Sequence, residues 1–180
     1  IYYYRNPLDQ AIAYFRAIQN STLQYRRYRV DSNGNKILIK DVHDFLRTVG
    51  IDMFLKHLLS FKLMQDLYPD NILIITYEDM VRNPKNTFLK VLQFLGHDVH
   101  ILNHLEEFNK AIELSSKESI IKLENAYGES ISKNYNNKHS RQLQDAKIGK
   151  WKGIINNKDL QYIETRFNEF NLSLNEFAID

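Results

Sequence analysis

Two short runs of unbroken apolar residues stand out against a chain that otherwise alternates at helical spacing. The first is Ile1-Tyr2-Tyr3-Tyr4. The second is Ile72-Leu73-Ile74-Ile75, inside residues 71–76. Both read as strands, and the continuous Ile/Leu character of the second predicts a strand buried on both faces, as in a parallel sheet. Each run leads into a helix start. After the first, Asn6 is a good N-cap, Pro7 suits the first helical position and Asp9 the first turn; Ala11, Ile12, Phe15 and Ile18 then recur on one face. After the second, Asn83-Pro84 opens a helix with Phe88, Val91, Leu92 and Leu95 on one face, and Gly96 takes the position just past its end.

The remaining pattern fills in around these two units. Residues 25–40 are basic and aromatic, and Asn33-Gly34 within them predicts a tight turn and a small hairpin. Residues 41–49 and 51–67 are two helical stretches with Gly50 as the break between them, and Pro69-Asp70 makes a turn. Residues 102–112 and 117–125 carry helical spacing. Residues 127–147 have no period and are rich in Asn, Ser, Lys and Gln, and a loop this long is usually functional or disordered. A last helix over 159–170 points Leu160, Ile163, Phe167 and Phe170 inward.

Two strand–helix units with buried strands predict a layered α/β fold, and in such folds ligands bind at the C-terminal ends of the strands. Arg5 and Tyr77 fall there. The length of 180 residues suits one domain over 1–180. Because the chain opens within a strand-like run and without Met, a further N-terminal segment is expected before it. The composition, 43% apolar and 26% charged, is that of a globular domain. The net charge of +2 gives no ground for a nucleic-acid or membrane partner. No apolar run is long enough to span a bilayer, no secretory signal opens the chain, and the cytoplasm is the default expectation. With no cysteine in the sequence, a disulfide scaffold, a thiolate nucleophile and a Cys-ligated metal are all excluded.

The strongest local chemistry is at Arg5. A guanidinium at a strand end, just before a helix N-terminus, joins a fixed fork of donors to free backbone N–H groups and a partial positive charge, which together predict an anion site. The competing reading is an Arg that pairs with a carboxylate. His97, His100 and His104 invite a metal, but no Glu or third ligand is spaced to complete a site. His57 reads as packing or as lining of an acceptor pocket, and Trp151 as a core anchor first. Arg26-Arg27-Tyr28-Arg29 reads as a solvated face, and its functional reading is recognition of an acidic acceptor or a nucleic-acid patch without a recognisable binding motif.

Tyr4-Arg5-Asn6-Pro7-Leu8-Asp9 after a strand resembles the 3′-phosphate-binding motif of sulfotransferases that use 3′-phosphoadenosine 5′-phosphosulfate (PAPS). Further segments resemble that family in the same order. They are Phe54-Leu55-Lys56-His57, then Thr76-Tyr77-Glu78-Asp79-Met80 with its Asn83-Pro84 helix, then Ser115-Ser116 before a helix, then Lys147-Ile148-Gly149-Lys150-Trp151-Lys152. The resemblance spans nearly the whole chain. It implies a three-layer α/β/α fold with a parallel sheet, helix-rich and N-terminally incomplete, the chain supplying its C-terminal two-thirds. It implies transfer of a sulfuryl group from PAPS to a hydroxyl or amine of a small-molecule, glycan or peptide acceptor, with no metal. Carried over, Arg5 binds the 3′-phosphate, Tyr77 and Ser115 help hold the adenosine, Arg141 and Lys147 add positive charge, and Gly149 belongs to the segment that closes over the nucleotide.

The departures matter as well. Where the family carries a Ser on the first helix, this chain has Ala13. Gln144-Asp145-Ala146 stand where Arg-Lys-Gly is usual, and Lys117 where an aromatic is. The family's phosphosulfate loop, catalytic base and second Lys have no counterpart within residues 1–180, so the catalytic groups are not assigned and this chain alone is expected to be inactive. These departures support an alternative, a sulfotransferase-like interaction module with a degenerate nucleotide site.

Overall fold

The computed structural model describes residues 1–19, 28–97, 103–131 and 148–177. The chain divides into two compact units, one of residues 1–78 with 148–180, the other of residues 79–147.

In the first unit, β1 (Tyr2–Tyr4) and β4 (Ile74–Thr76) pair in parallel, with Tyr2 opposite Ile74 and Tyr4 opposite Thr76. Their C-terminal ends therefore lie at the same edge, as the two strand–helix units predict. The strands are shorter than the apolar runs, and β4 is half-buried rather than covered on both faces. Between them come α1 (Pro7–Gln19), an antiparallel hairpin of β2 (Tyr28–Val30) and β3 (Lys36–Leu38), α2 (Val42–Phe45) and α3 (Ile51–Leu67). The hairpin turn is held by Asp31, whose carboxylate accepts from the backbone N–H of Asn33 at 2.9 Å and of Asn35 at 2.8 Å, and Gly34 supplies the positive φ of 83°.

Gly50 does not break the helix. A π-helical turn, Leu46–Gly50, joins α2 to α3, and Gly50 has helical angles. A Cβ there would lie 2.7 Å from the Phe45 ring, so glycine is present for close packing against a buried aromatic. A π turn adds one residue to a helix without ending it, which hydrophobic spacing cannot reveal.

The core of this unit gathers Leu8, Ala11 and Ile18 of α1, Phe45 and Leu46, Phe54, Leu55 and Leu58 of α3, and Ile163 and Phe167 of the last helix, α8 (Asn157–Asn168). Phe54, Phe167 and Phe177 meet with centroids 5.4–6.1 Å apart, and Tyr4 of β1 packs edge-on against Phe54 and Phe177. Phe170 lies beyond the end of α8 and is 42% exposed, with the Arg166 guanidinium 5.7 Å from its ring, so it is not a core residue. His57 is exposed on α3 and takes no part in packing.

In the second unit, α4 (Tyr77–Arg82), which starts in the first unit, leads to α5 (Pro84–Phe94), α6 (Leu105–Leu114) and α7 (Lys117–Ile131). Asn83 caps α5, with Pro84 in its first turn. Its end is a Schellman motif: the Gly96 N–H reaches the Gln93 carbonyl at 2.9 Å, the His97 N–H reaches Leu92 at 2.8 Å, and Gly96 has φ 75°. Leu95 is 52% exposed, so the apolar face of α5 stops short of it. Among the described residues no helix is long and apolar enough to cross a membrane.

Candidate nucleotide site at the strand ends

The site is assembled from the first turn of α1. Asn6 caps that helix, and its Oδ1 accepts from the N–H of Leu8 at 3.0 Å and of Asp9 at 3.3 Å. Asn6 is itself buried and pinned on two further sides. Its backbone N–H donates to Glu78 Oε1 at 2.9 Å, and its Nδ2 donates to the Phe177 carbonyl at 2.5 Å. Glu78 is buried too, two residues after the end of β4, so the two strand ends are tied together through a carboxylate.

Asp9 is the hub. It is 2% exposed and accepts from the N–H of Gly149 at 2.6 Å, the N–H of Trp151 at 3.1 Å and Arg5 Nη2 at 3.3 Å. One carboxylate thus joins the strand end to the Gly149–Trp151 turn far along the chain. Gly149 has φ 79°, a conformation that an L side chain adopts only at a cost, and this turns its N–H toward Asp9. On the other side of Arg5 the Tyr77 ring lies 4.5 Å from the guanidinium carbon, a cation–π contact. Tyr3 meets Tyr77 edge-on at 6.3 Å. Burial pushes the Tyr77 phenol up. Burial, followed by Tyr77, pushes Tyr3 up to about 12, although Arg5 opposes it. Both phenols are therefore neutral donors at neutral pH.

Arg5, Tyr77 and Gly149 are brought together: Asp9, which the sequence marked as a first-turn residue and the last residue of the Arg-Asn-Pro motif, joins Arg5 to Gly149, and the Tyr77 ring lies against Arg5. Of the two readings of Arg5, the carboxylate pair is present: Asp9 holds the guanidinium, and that pair fixes its orientation at the strand ends. The expectation of free N–H groups at the start of α1 needs correction. Those of Leu8 and Asp9 are taken by Asn6, so any anion there would rely on the guanidinium more than on the helix end. Ala13 is exposed on α1 and offers no hydroxyl.

Ser115 belongs to the second unit. It ends α6, its N–H reaching the Ala111 carbonyl at 3.0 Å and its Oγ the Ile112 carbonyl at 3.0 Å. Ser116 follows it with Oγ 2.9 Å from Ser119 Oγ and caps the start of α7. Arg141, Lys147 and Gln144-Asp145-Ala146 lie outside the described residues, as does His100. His104 is exposed before α6, its Nδ1 3.7 Å from Glu107. Among the described residues no cluster of three or more His, Asp or Glu is placed to hold a metal.

In open α/β sheets ligands bind at the C-terminal ends of the strands, and it is there that the Arg5 guanidinium, the Tyr77 ring and the Gly149 turn stand. The sequence matches the family described as "Sulfotransferase domain" over residues 1–172. The chain therefore belongs to the sulfotransferase family, whose general activity is transfer of a sulfuryl group. No curated protein and no solved structure matches it significantly.

Proposed function

We propose that the protein uses PAPS as sulfuryl donor and a hydroxyl or amine of a small molecule, glycan or peptide as acceptor. In that reaction the acceptor oxygen or nitrogen bonds to sulfur, the bond from sulfur to the 5′-phosphate breaks, the acceptor proton leaves to a base, and 3′,5′-adenosine bisphosphate departs. The carrying observation is the Arg5 guanidinium held between Asp9 and Tyr77 at the end of β1. By this reading Arg5 contacts the 3′-phosphate, the Tyr77 ring stands by the adenosine, and the Gly149 turn packs over the nucleotide. Ser115, Arg141 and Lys147 are proposed as further contacts, and the cytoplasm as the setting. No metal is called on.

The transferring sulfuryl group needs positive charge and donors on its own oxygens. Residues 1–180 contain no Gly-rich turn with a Lys that serves this, so by this reading they supply the 3′ side and bind the nucleotide poorly by themselves. A second reading, an interaction module on a sulfotransferase fold, draws on the helix start already capped by Asn6 and on Ala13. A sulfuryl-transfer assay run with a thermal-shift titration separates the two. A thermal shift with adenosine bisphosphate, larger than with adenosine monophosphate, supports the nucleotide reading. No difference between the two ligands, at concentrations far above those that saturate ordinary nucleotide sites so that weak binding is seen, supports the module.

A further inference from the structure

A cavity of the first unit, sharing no lining residue with the strand-end site, is bounded by α1, the β2–β3 hairpin and the α2–α3 segment. Its volume is about 450 Å³, within the size range of clefts that take small organic ligands. Ile18, Ile39 and Phe45, all buried, form its apolar floor together with Met53, and the Tyr14 ring stacks on Phe45 at 5.8 Å.

Into this apolar space the hairpin places a cation. Arg29 stands opposite Ile37 in the β2–β3 register, and these two residues are the part-buried ones of their strands while their neighbours are exposed. The inner face of a small hairpin ordinarily carries apolar residues, as Ile37 does. Arg29 instead brings a guanidinium there, and its Nε is buried with no hydrogen-bond partner among the described residues. Among the described residues no carboxylate lies within ion-pair distance of it. The neighbouring carboxylate, Asp31, is engaged by the turn through Asn33 and Asn35. A buried donor left unsatisfied costs stability, and buried guanidinium groups are normally paired.

We propose that this cavity binds a small amphipathic carboxylate, whose apolar or aromatic body covers Phe45 and Met53 and whose oxygens accept from Arg29. The pairing satisfies the Nε–H, and a guanidinium edge matches a carboxylate in bidentate geometry. The proposal concerns binding only and does not rest on the nucleotide reading.

The test is calorimetric titration of the full chain with phenylbutyrate and with phenylbutanol, which share a body and differ in the anionic group. The carboxylate should bind at least about tenfold more tightly than the alcohol. Arg29→Ala should erase that preference, and Arg29→Lys should keep part of it. Met53→Trp, which fills the cavity, should remove both ligands, with circular dichroism and the thermal midpoint confirming that each variant is folded. Equal affinity for acid and alcohol would overturn the proposal, as would a preference that survives Arg29→Ala, or no binding of either. Displacement of phenylbutyrate by adenosine bisphosphate would overturn it too, because the cavity would then belong to the nucleotide.

Discussion

Two helices of the first unit begin with the same four-residue pattern and use it differently. Asn6-Pro7-Leu8-Asp9 opens α1, and Asn156-Asn157-Lys158-Asp159 opens α8. In both, the Asn side chain accepts from the N–H of the Asp three residues on. At α8 the pattern closes on itself as a capping box, with Asp159 Oδ2 accepting from the Asn156 N–H at 3.2 Å. Asp159 also accepts from Arg47 Nε at 2.9 Å and meets His43 Nδ1 at 2.6 Å, which staples the π turn and α2 to α8. At α1 the box is open. Glu78 takes the Asn6 N–H, and Asp9 is released to hold Arg5, Gly149 and Trp151. The same local motif is a structural staple in one place and, once a third carboxylate relieves it of its capping duty, a positioning group in the other.

The largest effect should come from Asp9→Ala. It removes the acceptor of two backbone N–H groups and leaves Arg5 without that carboxylate, and breaking a buried pair of this kind costs about 3–5 kcal/mol. Urea unfolding should show that loss. A loss under about 1 kcal/mol would mean the Gly149 turn is held some other way.

Asp159→Asn should cost less, about 1–3 kcal/mol, because His43 and Arg47 are each more than a third exposed and solvent screens them. Its signature is pH. Burial opposes ionisation of Asp159, but hydrogen bonds from His43, Arg47 and Asn156 prevail and hold its carboxyl below the usual carboxylate range. A depressed folded pKa gives stability that is present above the unfolded value, near 3.8, and is lost as pH falls through the folded one. The stability difference between native protein and Asp159→Asn should therefore shrink on acidification below about pH 4. A constant difference across that range would contradict the staple.

The comparison is sharpened by Glu78→Ala. With the Asn6 N–H vacated, Asp9 is free to swing back and close the box as Asp159 does. Amide exchange at Gly149 and Trp151 should then speed up, with an overall cost of about 1–3 kcal/mol for the lost buried bond. Unchanged exchange at both amides would show that Glu78 does not govern Asp9. Gly149→Ala should have the smallest effect, about 1–2 kcal/mol, from a side chain forced to positive φ with nothing closer than Lys152 at 4.0 Å to clash with. Thermal melting at matched pH reads it.

These contacts also show how far the sequence carries. The helix starts at Asn6 and Asn83, the Gly96 end of α5, the parallel pairing and the hairpin were legible, because each follows from backbone chemistry within a few residues. Arg5 and Tyr77 were legible as strand-end residues. Gly149 was placed by resemblance alone, and its reason, a positive φ that aims an N–H at Asp9, needs the fold. Asp9 and Glu78 were missed as organisers, since their partners are remote in sequence and their pattern is that of an ordinary helix cap. The one available signal was that Asn-x-x-Asp occurs at two helix starts, and only structure shows that one box is open. Gly50 was misread because a glycine packed against Phe45 and a glycine that ends a helix look alike in sequence.

By the proposed function, the open box orients Arg5 toward a 3′-phosphate. Calorimetry of Arg5→Ala against the native protein tests it most directly, with adenosine 3′,5′-bisphosphate and adenosine 5′-monophosphate as the two ligands. The account expects Arg5→Ala to weaken the bisphosphate by about 1.5–3 kcal/mol, the range for a hydrogen bond to a charged group, and to leave the monophosphate nearly unchanged. Equal losses for the two ligands, or none for the bisphosphate, would contradict it.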